Sequence, residues 1–300
     1  MNVIKCENLT KCYGKLEAIQ NMTFSIEENK ITGLIGRNGA GKTTLLKTIA
    51  GYYQSSSGRV QVLSKDPFNN LEVTQNMIFV DDKMSFPPLL YLGDILNAAA
   101  DFYENWNEEL ARGLFEYFSL SRKAYHEHLS KGMKSTFNMI IGIAARCPLT
   151  MFDEPTSGMD AAVRKDFYRA LLKDYLQHPR TIVLSSHLVN EIEDILEDIL
   201  LIKEGEVLLH LEVDELKKYA VGLRGKNEIV EKWVEGHEII YQESFGVNQS
   251  YHVVRNLFNE STIEQIKKSG VEVTAVDVND LCVYLTARQK GGIDDVFNKQ

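Results

Sequence analysis

Gly36-Arg37-Asn38-Gly39-Ala40-Gly41-Lys42-Thr43-Thr44 satisfies the spacing G-x-x-x-x-G-K-[ST], with a second threonine to spare. The stretch follows the apolar run Ile31 to Ile35 and leads into Thr43 to Ala50, which reads as a helix closed by Gly51. A strand, a glycine-rich turn and a helix start are the context in which this spacing acquires a mechanism. Glycines at 36, 39 and 41 permit backbone conformations that a side chain would obstruct, so successive N–H groups can turn inward around a β-phosphate. Lys42 supplies an ammonium within reach of the β- and γ-phosphates. Thr43 offers a hydroxyl to Mg²⁺, and the helix that starts near Gly41 points its positive end at the anion. The expected ligand is ATP or GTP. An ordinary glycine-rich turn is the plainer alternative, and the complete strand–loop–helix context argues against it.

Composition sets the frame around this loop. The chain has 300 residues, 44% of them hydrophobic and 25% charged, enough for one large packed domain and a smaller one. Its 33 Lys+Arg against 42 Asp+Glu give a formal charge of −9, which disfavours an extended nucleic-acid footprint. Cys6, Cys12, Cys147 and Cys282 lack C-x-x-C spacing, so neither a disulfide framework nor a zinc site is expected. No apolar run approaches the ~18 residues of a membrane span. Met1 to Lys5 lacks the plan of a signal peptide, so the chain is expected neither to cross a membrane nor to anchor itself in one.

Strand patterns occur at Ile4 to Leu9, Ala18 to Ile26 and Ile31 to Ile35, then at Met77 to Val80, Leu149 to Phe152 and Thr181 to Leu184. Helices between them give the βα alternation of a largely parallel sheet, an α/β fold. Residues 91–145 are mostly helical in pattern, an inserted subdomain over about 83–145. The first domain is placed at 1–219 and a small α+β domain at 220–300. In the latter, strands are expected at His237 to Tyr241, Tyr251 to Val254, Val271 to Val278 and Leu281 to Leu285, with helices at Asn227 to Val234 and Ser261 to Lys268.

A second signature is Leu149-Thr150-Met151-Phe152-Asp153-Glu154-Pro155, an apolar strand delivering adjacent carboxylates to its C-terminal end. Asp153 is suited to hold Mg²⁺ through water, and Glu154 to orient the attacking water. Read alone, the pair is equally a solvated strand end. With the phosphate loop, the chain resembles the ATP-binding cassette (ABC) ATPase family over about residues 1 to 215. In that resemblance Gly36 to Thr44 are the Walker A segment, so Arg37, Asn38, Ala40 and Thr44 join the glycines, Lys42 and Thr43 as nucleotide contacts. Leu149 to Glu154 are Walker B with its catalytic glutamate, and Ser157-Gly158-Met159-Asp160 the D-loop. His187, after Ser185-Ser186, matches the switch histidine and Tyr13 the adenine-stacking aromatic. Without the resemblance Tyr13 reads as an exposed turn aromatic before Gly14. His126 and His128 read as solvated.

Two segments depart from the family pattern. The signature L-S-G-G-[QM] stands here as Leu129-Ser130-Lys131-Gly132-Met133. The resemblance implies that Ser130 and Gly132 cap the γ-phosphate of a partner's ATP, whereas Ser130 alone reads as a helix N-cap. At the glutamine loop the chain has Val80-Asp81-Asp82, and Asp82 is the positional match, a carboxylate candidate for Mg²⁺ or else a solvated acidic turn. The resemblance implies an ATPase with ATP and Mg²⁺ as cofactors, Glu154, His187 and Lys42 as catalytic groups, and a dimer with a second cassette, homo- or heterodimeric. It further implies a separate transmembrane permease as partner, a cytoplasmic position on the inner membrane face, and no nucleic-acid partner.

Phe86-Pro87, Phe102-Tyr103 to Trp106 and Asp280 to Thr286 are similar to the drug and peptide-antibiotic export branch, of the bacitracin-resistance and Ytr type. Phe102, Tyr103 and Trp106 also suit a helical-subdomain core. Soluble ABC ATPases of ribosomes or DNA and a low-turnover regulatory subunit are the rival readings.

Overall fold

The chain opens with two long strands, β1 (Asn2–Tyr13) and β2 (Leu16–Glu27), paired antiparallel through a turn at Gly14. Ile4, Cys6 and Leu9 on β1 and Ile19, Met22, Phe24 and Ile26 on β2 are buried, so the apolar alternation is spent on one face. The short apolar runs of the sequence mark only the middle of these strands, because paired backbone continues where the side chains are polar. β4 (Ser57–Val62) adds to β1 to complete a three-stranded sheet. This computed structural model describes residues 1–246 and 248–287.

The second sheet comprises β3 (Ile31–Ile35), β5 (Met77–Val80), β6 (Leu149–Asp153), β7 (Thr181–Ser186), β8 (Asp198–Lys203) and β9 (Glu206–Glu212). Its order is β5-β6-β7-β3-β8-β9, and β5 through β8 pair in parallel. Every residue of β3, β5, β6 and β7 is buried, as expected of parallel strands covered on both faces. Helices α1 (Lys42–Ile49) and α2 (Leu71–Gln75) follow β3 and β4. Between β5 and β6 lie α3 (Leu92–Phe102), α4 (Glu108–Tyr117) and α5 (Lys131–Ala144), the helical stretch legible in the sequence, and α6 (Ala161–Gln177) follows β6.

Two expectations for the helical segment are corrected. His126 is buried, not solvated: its Nε2 lies 2.9 Å from Asn138 Oδ1 and its ring meets Phe86 edge-on at 5.0 Å, while His128 is exposed. Burial holds the His126 imidazole below its usual range. Phe102 is 58% exposed rather than core; it is the last residue of α3, past the buried Ile95, Leu96 and Ala99.

The chain divides between His210 and Leu211. The boundary falls before the expected Tyr219 because α7 (Val213–Tyr219) packs on β10 (Ala220–Lys226) of the second unit. There α8 (Asn227–Val234), β11 (Ile239–Phe245), β12 (Gln249–Arg255), α9 (Glu260–Lys268), β13 (Glu272–Ala275) and α10 (Val278–Thr286) follow. The four strands form an antiparallel sheet in the order β11-β12-β10-β13. Leu281 to Leu285 is helix, not strand. Asp277 caps it by accepting from the amides of Asn279 and Asp280, and Val278, Leu281 and Cys282 are buried at helical spacing. The end of the expected domain, residues 288–300, lies outside the described residues.

Candidate functional site

Parallel pairing of β3, β6 and β7 brings their C-terminal ends side by side, the place where such sheets bind ligands. The loop after β3 turns into α1 at Gly41, whose φ is +105° and whose Cβ, if present, would lie 2.5 Å from the Ala18 carbonyl oxygen. Conformation and space both demand glycine there. Helix α1 begins with no side-chain cap and no acidic residue in its first turn, unlike α5 and α6, capped by Ser130 and Asp160. Its first N–H groups are therefore left for an external acceptor.

Lys42 is buried, and its Nζ donates to the Gly36 carbonyl at 2.7 Å and pairs with Glu154 Oε1 at 3.1 Å. That pairing is charge contact without hydrogen-bond alignment, so Oε1 is a buried acceptor with no donor. Glu154 Oε2 lies 2.9 Å from His187 Nδ1. One carboxylate thus joins the phosphate-loop lysine to the histidine after β7. Asp153 is held at both oxygens: Thr43 Oγ1 donates to Oδ2 at 2.6 Å, and Ser185 Oγ donates to Oδ1 at 2.6 Å. Ser185 Oγ also accepts from the Glu154 amide at 2.9 Å, where Glu154 has φ +47°. Sequence reading did not assign Ser185 a role; its signal was a buried hydroxyl residue closing an apolar strand beside the carboxylate strand.

The donor set fits a Mg-nucleotide. Thr43 and Asp153 present hard oxygens in contact with each other, the uncapped helix start and Lys42 supply positive potential, and the orphaned Glu154 oxygen awaits a donor. Arg37, Asn38 and Gly39 are exposed on the loop, Ala40 is buried, and Thr44 interacts with the Tyr13 hydroxyl. Tyr13 itself is 43% exposed, its ring nearly perpendicular to that of Tyr53 and with Lys11 Nζ over it at 5.5 Å from the centroid.

Asp82 is not brought to this cluster. It is exposed, and among the described residues no hydrogen bond or ion pair joins it to Thr43, Asp153 or Lys42. The neighbouring Asp81 turns inward instead and pairs with Lys47 of α1 at 3.0 Å. Burial opposes the Lys47 charge, but the hydrogen bond and charge of Asp81 hold its ammonium above the usual lysine range. Ser130 caps α5 by accepting from Met133 N at 3.3 Å. Lys131 takes the first helical position without a positive φ, its aliphatic stem beside Gly158. Gly132 lies so close to the Gly158 carbonyl that a Cβ would stand 2.6 Å from it. Lysine is accommodated at the first glycine of the signature, whereas the second must remain glycine.

Residues 19–157 match the family model described as ABC transporter. The ABC transporter ATP-binding protein YtrB of Bacillus subtilis is 26% identical over 72% of this chain and 74% of its own. The bacitracin transport ATP-binding protein BcrA of Bacillus licheniformis is 27% identical over 72% of each. The linearmycin resistance ATP-binding protein LnrL of Bacillus subtilis is 25% identical over 95% of this chain and 99% of its own. Among solved structures, an ATP-binding subunit of an ABC transporter superposes with a TM-score of 0.64 at 22% identity, covering 72% of this chain and 92% of that one. A dimeric cassette, MJ0796, in a post-hydrolysis state with ADP and Pi gives 0.62 at 22% identity, over 70% and 98%.

Proposed function

We propose that this chain carries the ATP-binding cassette, the ATPase domain of ABC transporters, and that it hydrolyses Mg-ATP to energise a separate membrane permease. The observation that carries the reading is the meeting of Lys42, Glu154 and His187 at the strand ends, next to the contact of Thr43 with Asp153. Lys42 would leave the Gly36 carbonyl and Glu154 for the phosphates, which frees the Glu154 carboxylate to orient water. His187 would keep that carboxylate aimed. Thr43 and Asp153 would hold Mg²⁺, which supplies charge neutralisation on the phosphates when bound. Tyr13 is assigned to the adenine, and Ser130 and Gly132 to a second cassette's nucleotide, with either an identical or a different partner.

Export of a drug or peptide antibiotic is the finer reading, supported by the names of BcrA and LnrL. LnrL also matches across the second unit, so the resemblance is not confined to the cassette. Among the described residues no helix is long and apolar enough to cross a membrane, which is consistent with a permease on another chain. The test is affinity capture of the tagged Glu154→Gln chain from detergent-solubilised cells supplied with ATP. Recovery of an integral membrane protein is expected; recovery of ribosomal proteins in its place would contradict the reading.

A further inference from the structure

Two loops leave neighbouring parallel strands toward the site, residues 154–160 after β6 and residues 187–191 after β7. Glu154 and His187 meet across the gap between them. Farther out, one side chain spans the same gap. Arg164, in the first turn of α6, pairs through Nη1 with the Glu191 carboxylate and donates from Nη2 to the Met159 carbonyl at 3.4 Å. The first acceptor belongs to the histidine loop and the second to the glutamate loop.

The surroundings make this more than a surface pair. The side chains of Arg164 and Glu191 are only 27% and 21% exposed, and Arg164 Nε is buried without a hydrogen bond. A guanidinium kept in place with one donor unsatisfied is held by its other contacts. Its backbone is fixed as well, since the Arg164 amide donates to the Asp160 carbonyl at 3.0 Å and Asp160 caps α6. One turn on, the Tyr168 hydroxyl lies 3.2 Å from Thr156 Oγ1, and burial pushes its phenol up to about 12. Helix α6 therefore holds the glutamate loop through the side chains of Arg164 and Tyr168 and through the Asp160 cap, and reaches the histidine loop through Arg164 alone among the described hydrogen bonds and ion pairs.

We infer that Arg164 is a positioning residue for ATP hydrolysis: its fork fixes the spacing between the loop that carries Glu154 and the loop that carries His187. The inference rests on the reading of this site as hydrolytic. A planar fork can serve two acceptors on different loops, whereas a lysine ammonium on a flexible stem does not fix their separation. Misplacing a reacting group by about 1 Å costs on the order of 100-fold in rate.

The test is steady-state ATP turnover by the full chain with Arg164→Ala, Arg164→Lys, Glu191→Ala and the Arg164→Ala/Glu191→Ala double variant, each also made with His187→Ala. Either alanine variant is expected to lose about 100-fold in kcat with KM changed less than about threefold. The double variant should lose no more than either single one, Arg164→Lys should restore little, and Arg164→Ala should cost almost nothing once His187 is gone. Amide exchange provides a second readout: residues 187–191 should exchange at least about tenfold faster in Arg164→Ala, with β6 and β7 unchanged. Normal kcat in Arg164→Ala or Glu191→Ala, additive losses, or unchanged exchange would overturn the inference while leaving the site reading intact. Normal turnover in His187→Ala would overturn the site reading, and this inference with it.

Discussion

Each oxygen of Glu154 has a neighbour, the Lys42 ammonium as a charge contact at Oε1 and His187 within hydrogen-bond distance at Oε2. Under the proposed function, nucleotide binding would exchange the partners of Lys42 and leave the carboxylate to the histidine. His126 illustrates a different use of a titratable side chain. Its imidazole would titrate near 6.5 when free, and burial, aided by Lys134 and opposed by Asn138 and Glu127, holds it lower in the folded chain. The unfolded chain then binds more protons, so the contribution of His126 is fully present above pH 6.5 and is lost as pH falls from there toward the folded value. Thermal midpoints of wild type and His126→Gln measured between pH 7.5 and pH 5.5, about a unit either side of the free value, should show a steeper acid loss for wild type. Parallel curves would contradict this. At this scale the sequence located Lys42, Thr43, Asp153, Glu154 and His187, because each lies at the end of an apolar strand or in the glycine-rich turn. It did not distinguish Asp81 from Asp82. Adjacent carboxylates after β5 differ only in which one faces Lys47, and that depends on packing against α1.

The segment from Leu281 to Leu285 shows how an element can be misread. Leu281, Val283 and Leu285 alternate as in a strand, yet Val278, Leu281 and Cys282 also follow a helical spacing, and the capping aspartate at 277 decides between them. The two readings make opposite demands on side chains. In the helix Leu281 is fully buried while Val283 is 52% exposed. Leu281→Ala should destabilise the second unit by about 2–5 kcal/mol and Val283→Ala by less than about 0.5 kcal/mol, as read by denaturant unfolding. Equal losses at both positions would indicate a strand. The parallel strands β3 and β5 had no such ambiguity, because their apolar runs are short, uninterrupted and bounded by turns. β10 was missed because Gly222, Arg224 and Gly225 interrupt its apolar pattern; Gly222 is needed where Tyr251 and Thr274 close over it.

Across the whole molecule, the strands that lead into the glycine-rich loop, the carboxylate pair and His187 were legible from motif spacing, whereas β4, β8 and β9 of the first unit carry no such motif and were not identified. The second unit has a buried cluster of Val221, Leu223, Val230, Val234, Val254, Ile266 and Val271, and any sequence with similar apolar positions would serve that core. The departures at the signature and glutamine segments are absorbed structurally, Lys131 at the start of α5 and Asp81 against Lys47, while Thr43 meets Asp153 and His187 meets Glu154 at the strand ends. The proposed function has this cluster hydrolyse ATP with Glu154 aiming the water. It is tested most directly by phosphate release from saturating Mg-ATP in wild type and Glu154→Gln, with bound nucleotide measured in the same samples. Unchanged nucleotide occupancy and a fall in release of at least about 100-fold are expected. Equal release by the two proteins, or no nucleotide bound to either, would contradict it.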